Sequence, residues 1–593
     1  MALAAVEYGS SVTYQNDMYN PAGIQYQVWK EDASGTAYTV QGASGGTVSK
    51  KLVKAKDVNG ANAILTIQVS GGSAKSGVVE LAPGEYWVQE VASTVTHASG
   101  SGKNTGYSAD PTFYYAKVDS THTEDKPFTV NSTENFTHEL KGTITKTDAD
   151  FGTTASGDAS LAGGIYRLRY WDATSASGNP DRTWFFKSDE TGKINIMSAN
   201  KVNIAKADTV LNIDQTSSNF WEKSDGSRVW LAGTYIMDEV CAPVGYKLDT
   251  TPVTVKIEHD NDATTSTDNN HDLEFSVSNH PDETPLDIQK VDSEVAKDVS
   301  ATNQPAGAAV VALVDGVTAT TTQGDTDHMS TYRVFNISGK PIKYQGKTIA
   351  NVPADVARTS TEGVVGEITC VKPQDWETTA TGKWVTEKMT LPYGTYKVVE
   401  IAAGEGMTLD AAWSQTITLH GNAARTKATG TNSAQEITQA NDPRRGGMVV
   451  AKVDSDGAMS DDTTVISGGF DLDVVLGDIA AGQGDAKLDG AQFIIINRSR
   501  GPVKVDGTWY KTGAKVATIT TAVDDDGRVY AHTSTSTSLP YGTYEVRETV
   551  PPKGYKLSDV IDDDFGGQRI ETAFPVHPSE DENGYWFYVG SIV

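Results

Sequence analysis

Short runs of alternating hydrophobic and polar residues, without a long helical period, predict a chain built from β-strands. One such run recurs four times as Gly-x-Tyr-x-x-x-Glu. Its glutamates are Glu90, Glu239, Glu400 and Glu548. In the last copy, Tyr544, Val546 and Glu548 share one face of a strand, because side chains alternate with period two. Burying a carboxylate on an apolar face is costly. Four glutamates at the same offset therefore predict one functional buried carboxyl group per repeat.

The spacing of these repeats indicates an array of domains. Successive glutamates are separated by 149, 161 and 148 residues, and a chain of 593 residues has room for four domains of ordinary size. The chain is rich in Thr, Ser and Gly between its short alternating runs. We predict an all-β protein of four tandem β-sandwich domains, at residues 1–138, 139–282, 283–443 and 444–593.

Two further motifs mark the first and the last strand of each domain. An aliphatic-x-Lys-x-Asp motif places a lysine on the same strand face as the apolar residue two positions before it. These lysines are Lys146, Lys290 and Lys452. The predicted closing residues of the first three domains are Asn135, Asn279 and Asn441. Each lies 11 residues before the next lysine (135 to 146, 279 to 290, 441 to 452), which predicts short linkers and an elongated rod.

The first and the fourth domain depart from this pattern. In the first, Tyr14 stands where the lysine is expected, so we expect no lysine to react with Asn135, which should be an ordinary hydrogen-bonding residue, and Glu90 should be a buried carboxyl group satisfied by its neighbours. In the fourth, residues 588–593 occupy the window for the closing asparagine and contain none. We expect this domain to end before its closing residue, to leave Lys452 facing Glu548, and to carry an exposed insertion near residues 461–483.

A lysine, a glutamate and an asparagine that share one apolar core form a reactive set. Burial lowers the pKa of a lysine and raises that of a glutamate, which favours an uncharged amine beside a protonated carboxyl group. The amine can attack the carboxamide carbon while the carboxyl group moves protons to the leaving ammonia. The product is a side-chain amide cross-link made once per domain. The alternative is a set of buried Lys–Glu ion pairs with a hydrogen-bonding asparagine.

Together these motifs resemble the CnaB-type, SpaA-like Ig-like domains of Gram-positive sortase-anchored pilins and surface adhesins. The resemblance covers essentially the whole chain and is partial in the first domain, which lacks the lysine. It implies Ig-like sandwiches with spontaneous Lys–Asn isopeptide bonds promoted by an acidic residue. On that basis Lys146 bonds Asn279 with Glu239 as the catalytic residue, and Lys290 bonds Asn441 with Glu400. Glu548 is the corresponding catalytic residue of the fourth domain.

Charge and composition exclude several other functions. The net charge is −28 and the isoelectric point is near 4.7, which argues against nucleic acid and anionic membranes as partners. No His-centred triad, metal-ligand cluster or phosphate loop is visible in the sequence. We therefore expect no cofactor, no metal and no enzymatic activity beyond single-turnover self-cross-linking. The two cysteines, Cys241 and Cys370, fall in different domains and should be buried thiols.

These features predict a structural cell-surface protein, either a pilus subunit or an adhesin stalk. The expected location is the cell-wall-anchored extracellular surface. Other pilus or cell-wall components, joined by sortase outside this sequence, are the expected partners. The end of the first domain has no pilin-motif lysine, which lowers the expectation of a backbone pilin. The alternative function is a ligand-binding adhesin that recognises a host matrix protein or glycan through the first domain.

Overall fold

The computed structural model describes residues 2–5, 22–70, 73–95, 110–132, 142–171, 175–204, 214–222, 228–230, 233–257, 273–294, 330–371, 384–386, 388–404, 406–452, 454, 484–499, 501–525, 527–557, 561–562, 568–569, 573–576, 578 and 584–592. These residues form two compact units. The first comprises Met1–Asp282 and Asn422–Thr431, and the second comprises Glu283–Gly421 and Asn432–Val593.

Both units are built from β-strands, which confirms the predicted all-β class. Among the described residues, α1 (Ala92–Val95) is a single helical turn, and Ser293 and Glu294 also have helical backbone. The strands of the first unit are β1 (Ala2–Ala5), β2 (Gln25–Gln41), β3 (Thr47–Lys54), β4 (Ile64–Ser70), β5 (Ser73–Ser76), β6 (Gly84–Glu90), β7 (Tyr114–Val118), β8 (Thr129–Ser132), β9 (Gly142–Asp148), β10 (Ile165–Trp171), β11 (Arg182–Lys187), β12 (Lys193–Asn195), β13 (Trp221–Glu222), β14 (Arg228–Val229), β15 (Gly233–Cys241), β16 (Val253–Ile257) and β17 (Leu273–Asn279).

The second unit continues the same pattern of short strands. Its strands are β18 (Glu283–Asp292), β19 (Thr331–Asn336), β20 (Ile342–Tyr344), β21 (Lys347–Ile349), β22 (Val364–Val371), β23 (Trp384–Thr386), β24 (Met389–Pro392), β25 (Gly394–Ala402), β26 (Ser414–Leu419), β27 (Gln435–Asn441), β28 (Arg445–Lys452), β29 (Gln492–Asn497), β30 (Val503–Val505), β31 (Thr508–Tyr510), β32 (Lys515–Thr520), β33 (Ala522–Val523), β34 (Val529–His532), β35 (Leu539–Pro540), β36 (Gly542–Val550), β37 (Ile561–Asp562), β38 (Gln568–Arg569), β39 (Ala573–Val576) and β40 (Tyr585–Ile592).

The second repeat, residues 139–282, has two sheets. One has the strand order β11-β10-β15-β16 and the other has the order β12-β9-β17. Apolar residues from both sheets, among them Phe275 and Val277 from one and Tyr235 and Met237 from the other, belong to one hydrophobic core. The sheets therefore pack face to face, and side chains that point inward from either sheet meet between them.

The strand that opens each repeat pairs in parallel with the strand that closes it. This pairing joins β1 to β8, β9 to β17, β18 to β27 and β28 to β40. Neighbouring strands lie about 4.8 Å apart, so residues in register on such a pair have adjacent side chains. The pairing brings residues more than a hundred positions apart in sequence into direct contact.

The segment Asn422–Thr431 belongs to the first unit, although the chain on both sides of it belongs to the second. Arg425 attaches it through Nε to the carbonyl oxygen of Ala242 at 2.7 Å and through Nη2 to that of Gly163 at 2.9 Å. The backbone N–H of Gly245 donates to Asn422 Oδ1 at 3.0 Å. The segment is thus anchored through polar groups around the turn that follows β15.

Candidate cross-linking site

Alternation along three strands of the second repeat places the predicted reactive residues in the core. In β9, Ile144, Lys146 and Asp148 are buried and their neighbours are half-buried. Asn279 continues the buried row of Leu273, Phe275 and Val277 in β17. Glu239 continues the buried row of Tyr235 and Met237 in β15. The apolar members of each row fix the direction of the polar one, because side chains two positions apart share a face.

Strand register brings the lysine and the asparagine together. Lys146 is in register with Val277, so Asn279 lies two residues further along the same face of the neighbouring strand. Glu239 comes from the opposite sheet, where it is in register with Tyr166. The three side chains therefore converge from both sheets inside the sandwich.

The hydrogen bonds in this core leave two acceptor atoms unused. Asn279 Nδ2 donates to Glu239 Oε2 at 2.5 Å and to the Lys247 carbonyl oxygen at 2.7 Å. The Asp249 N–H also donates to Glu239 Oε2, at 2.9 Å. Within the described part of the chain, Glu239 Oε1 and Asn279 Oδ1 are buried and accept no hydrogen bond. Such atoms are uncommon in native proteins and are costly to leave unsatisfied.

Lys146 is also held in an unusual environment for an amine. Its Nζ donates to the carbonyl oxygen of Thr147 and lies 4.3 Å from the ring centroid of Tyr246. Burial lowers the pKa of Lys146 to about 8, although the nearby Glu239 carboxylate opposes this shift. Burial likewise raises the pKa of Glu239 to about 7, against the hydrogen bonds from Asp249 and Asn279. The two pKa values, ordinarily about six pH units apart, thus come close to each other, which makes the uncharged pair accessible near neutral pH.

The third repeat has the same set of residues in closer contact. Lys290, Glu400 and Asn441 are all buried, and Lys290 Nζ lies 2.6 Å from Glu400 Oε1. Asn441 Nδ2 lies 2.9 Å from Glu400 Oε1 and 3.0 Å from Oε2. Lys290 is in register with Gln439, so Asn441 again lies two residues further along the same face.

Gln439 is a member of this cluster that the sequence analysis missed. It is fully buried, and its carboxamide contacts Lys290, Glu400 and Asn441. The signal was present in the alternation of β27, where Ile437, Gln439 and Asn441 share the inward face. Aligning the closing strands on their asparagines would have shown a glutamine where the second repeat has Val277.

In the fourth repeat, Lys452 and Glu548 face each other in the core. Both are buried, and Lys452 Nζ lies 3.3 Å from Glu548 Oε1. Lys452 is in register with Ile592 of β40. In the second and third repeats the asparagine stands two residues beyond the residue in register with the lysine. Here that position is the one directly after Val593. Asn583 and the predicted insertion at 461–483 lie outside the described residues.

Of the candidate residues of the first repeat, Glu90 lies within the described part of the chain. Glu90 is buried, accepts a hydrogen bond from Tyr26 Oη at 2.9 Å through Oε1, and accepts one from the Asp110 N–H at 2.6 Å through Oε2. Tyr14 and Asn135 lie outside the described residues. The strand that pairs with β8 here is Ala2–Ala5, and the predicted opening strand around Tyr14 is also outside the described residues.

In two repeats, a tyrosine in the turn after the glutamate strand donates a hydrogen bond to the aspartate of the lysine motif. Tyr246, from the Pro-x-Gly-Tyr turn, donates from Oη to Asp148 Oδ2 at 2.7 Å, and Tyr555 donates to Asp454 Oδ2 at 2.6 Å in the fourth repeat. Asp148 also accepts hydrogen bonds from the N–H groups of Asp150, Phe151 and Ser156. The third repeat has Met407 in place of this tyrosine and keeps the aspartate of the lysine motif as Asp292, so the Tyr–Asp hydrogen bond belongs to the second and fourth repeats.

Cys241 and Cys370 are both buried free thiols, as expected from their positions in different repeats. Within the described ranges, no helix has the length and apolar character needed to cross a bilayer.

Comparison with known proteins finds a family match in two segments of the chain. The model of the SpaA family, described as a prealbumin-like fold domain, matches residues 214–271 and 480–562, which include the strands carrying Glu239 and Glu548. No curated protein matches the sequence significantly.

Several solved structures align with the chain at low identity. The Bacillus anthracis TIE protein aligns at 14% identity and a TM-score of 0.35, over 98% of this chain and 72% of that chain. A streptococcal ancillary pilin aligns at 14% identity and a TM-score of 0.22, over 75% of this chain and 98% of that chain. BcpA, the major pilin subunit of Bacillus cereus, aligns at 16% identity and a TM-score of 0.20, over 76% of this chain and 99% of that chain. These TM-scores are too low to support any inference about function. The SpaA model thus matches parts of the second and fourth repeats, and the described residues of both repeats form β-sheets.

Proposed function

We propose that this protein is a structural protein of a Gram-positive cell surface, a pilus subunit or an adhesin stalk, whose second and third repeats close themselves with Lys–Asn isopeptide bonds. The observation that carries the proposal is the convergence of a buried amine, carboxyl group and carboxamide on adjacent opening and closing strands, found twice in one chain. The pilin names among the aligned structures agree with a surface role but do not carry it.

The chemistry follows from the geometry of the second repeat. The uncharged Lys146 amine attacks Cγ of Asn279, a new C–N bond forms, and the bond from Cγ to Nδ2 breaks. One proton of the amine passes through Glu239 to the leaving nitrogen, which departs as ammonia. Asn279 Nδ2 lies 2.5 Å from Glu239 Oε2, so the carboxyl group reaches the leaving group directly. The same roles fall to Lys290, Glu400 and Asn441 in the third repeat.

The bond suits a protein under tension and exposed to proteases. A Lys146–Asn279 link closes a loop of 133 residues (146 to 279). If its effect on the unfolded chain resembles that of a disulfide of the same loop length, it stabilises the domain by about 5 kcal/mol. Unlike a disulfide, an amide is not reducible. A link between the opening and the closing strand also places the pulling force on a covalent bond.

Intact-mass measurement tests the proposal. The full-length chain should be lighter than its sequence by two ammonias, and peptide mapping should place the links in the second and third repeats. The Glu239→Gln variant keeps the size of the side chain but removes the carboxylic acid, so it should fold and lack one of the two losses. Glu400→Gln should lack the other. A wild-type mass equal to the sequence mass, in a folded sample, would refute the proposal.

A further inference from the structure

We infer that Lys290 has a second carboxamide within reach, that of Gln439, and that Gln439 competes with Asn441 as the acceptor of the isopeptide bond. This inference rests on the proposed function, because it uses the same amine and the same carboxyl group. It changes the predicted product of the third repeat, which becomes a mixture of Lys290–Asn441 and Lys290–Gln439 links.

The position of Gln439 is the first observation behind this inference. Gln439 is in register with Lys290 on the parallel pair β18 and β27, so their side chains leave neighbouring backbones on the same face. The residue in the same register is Val277 in the second repeat and Ile592 in the fourth. Burying a carboxamide where an aliphatic side chain would pack costs free energy unless its polar atoms are satisfied.

The contacts of Gln439 are those expected of a carboxamide that is attacked by the lysine amine. Its Oε1 accepts hydrogen bonds from Lys290 Nζ and from Tyr332 Oη, the latter at 3.1 Å. During attack the Tyr332 hydroxyl remains as a donor to this oxygen and stabilises the negative charge that develops on it, while the contact with Lys290 Nζ places the amine next to the carboxamide. The leaving nitrogen, Nε2, lies 3.4 Å from Glu400 Oε2, so the carboxyl group that serves Asn441 also serves Gln439.

Asn441 is engaged differently. Its Nδ2 donates to both oxygens of Glu400, and its Oδ1 accepts from Gln439 Nε2. The hydrogen bonds of Lys290 Nζ within the described residues go to Glu400 and Gln439. Within the described residues the amine thus already contacts the Gln439 carboxamide, and no hydrogen bond joins it to Asn441.

The reaction with Gln439 balances in the same way as the reaction with Asn441. The Lys290 amine forms a bond to Cδ of Gln439, the bond from Cδ to Nε2 breaks, and one amine proton travels through Glu400 to the departing ammonia. No oxidant, metal or second substrate is needed. Both products have the same mass, so intact mass of the wild type cannot separate them, and fragmentation of the cross-linked peptide can.

The test uses Asn441→Ala in the full chain, with Asn279→Ala as a matched control. The second repeat has Val277 where the third has Gln439, so no second carboxamide is in register with Lys146. The Asn279→Ala chain should therefore release no ammonia in its second repeat. Asn441→Ala should retain both deficits, with the third-repeat link mapped to Gln439. Adding Gln439→Val to Asn441→Ala should abolish the third-repeat deficit.

An Asn441→Asp variant protects the test against misfolding of the alanine variant. The introduced aspartate has nearly the same shape as the asparagine that it replaces. A bond from Lys290 to the introduced carboxyl group would release water, whereas a bond to Gln439 releases ammonia. Ammonia loss in the third repeat supports the inference. Only water loss there, or a single remaining deficit in a folded Asn441→Ala chain, would overturn it while leaving the proposed function intact. A wild type without any deficit would instead refute the proposed function, and the inference with it.

Discussion

At the scale of single residues, the coupling of Lys146 to Glu239 predicts a pH optimum for bond formation. The reactive form has a neutral amine and a protonated carboxyl group, so the pair holds one proton. With the pKa of Glu239 near 7 and that of Lys146 near 8, this one-proton state is most populated between these values. Below about pH 7 the pair gains a second proton and the amine stays charged. Above about pH 8 the pair loses its last proton.

The rate of ammonia loss in the second repeat should therefore be highest between about pH 7 and pH 8 and fall up to about tenfold per pH unit on either side. It can be measured on chain isolated unfolded, refolded at a series of pH values, quenched and mapped by mass. Glu239→Gln is the control and should react slowly at every pH. A rate that keeps rising to pH 10 would show that the carboxyl group takes no part.

The hydrogen bond from Tyr246 to Asp148 gives a second prediction at the residue scale. In Tyr246→Phe the ring beside Lys146 Nζ remains and the hydroxyl that donates to Asp148 is lost. The second repeat should lose about 1.5–3 kcal/mol, the range for a hydrogen bond to a charged group, and still form its isopeptide bond. Calorimetry of the transition of the second repeat measures the first effect and peptide mapping the second. Tyr555→Phe, which removes the corresponding bond to Asp454, should leave the transition of the second repeat unchanged.

The burial of the candidate residues was predictable where a motif repeated. The inward direction of Lys146, Glu239 and Asn279 follows from period-two alternation beside apolar residues of the same strand. Gln439 was missed because glutamine is common on exposed strand positions, and one occurrence carries no repeat signal. The partner of Tyr246 was missed because the tyrosine and the aspartate lie 98 residues apart and meet only in the folded sandwich.

At the scale of strands, the parallel pairing of opening and closing strands determines which residue can reach the lysine. The motifs marked the first and the last strand of each repeat, but they predicted neither the parallel pairing of the two strands nor the offset between them. The offset is the same in the second and third repeats, with the asparagine two residues beyond the residue in register with the lysine. Register depends on all the cross-strand contacts of a pair, so a single strand sequence does not reveal it.

The same offset gives a prediction for the fourth repeat. Lys452 is in register with Ile592, so the bonding position directly follows Val593. Appending one asparagine after Val593, with a short polar extension to keep the strand end paired, should produce a third ammonia loss and a link to Lys452. An extension with alanine in place of that asparagine is the control. Glu548→Gln in the extended chain should suppress the link, because Glu548 is the carboxyl group beside Lys452. Failure of the extended chain to react, with Lys452 and Glu548 both present and the repeat folded, would show that the offset does not transfer.

At the scale of the molecule, composition and repeats were enough to predict an all-β chain, whereas long-range attachment was not predictable. The segment Asn422–Thr431 reads as an ordinary polar loop, yet it belongs to the first compact unit. Arg425 donates there to the backbone carbonyl oxygens of Ala242 and Gly163. Every residue provides a carbonyl oxygen, so no sequence pattern marks these two as partners. The number of four domains and the rod remain predictions.

The proposed bonds have a mechanical consequence for the whole chain. When the protein is pulled by its two ends, force entering the second repeat at Lys146 passes through the amide to Asn279, and the 132 residues between them (147 to 278) are shielded from the force. In the third repeat, 150 residues (291 to 440) lie between Lys290 and Asn441. At about 3.4 Å per extended residue, the two bonds withhold about 450 Å and 510 Å of length.

Single-molecule pulling should therefore show a full extension step from the first repeat and none of full length from the second and third. Glu239→Gln should restore a step of about 450 Å and leave the third repeat locked, and Glu400→Gln should restore about 510 Å and leave the second locked. The two variants act as controls for each other, because each changes one carboxyl group in one core. A wild-type molecule that releases the whole length of the second repeat would show that its opening and closing strands are joined by hydrogen bonds alone.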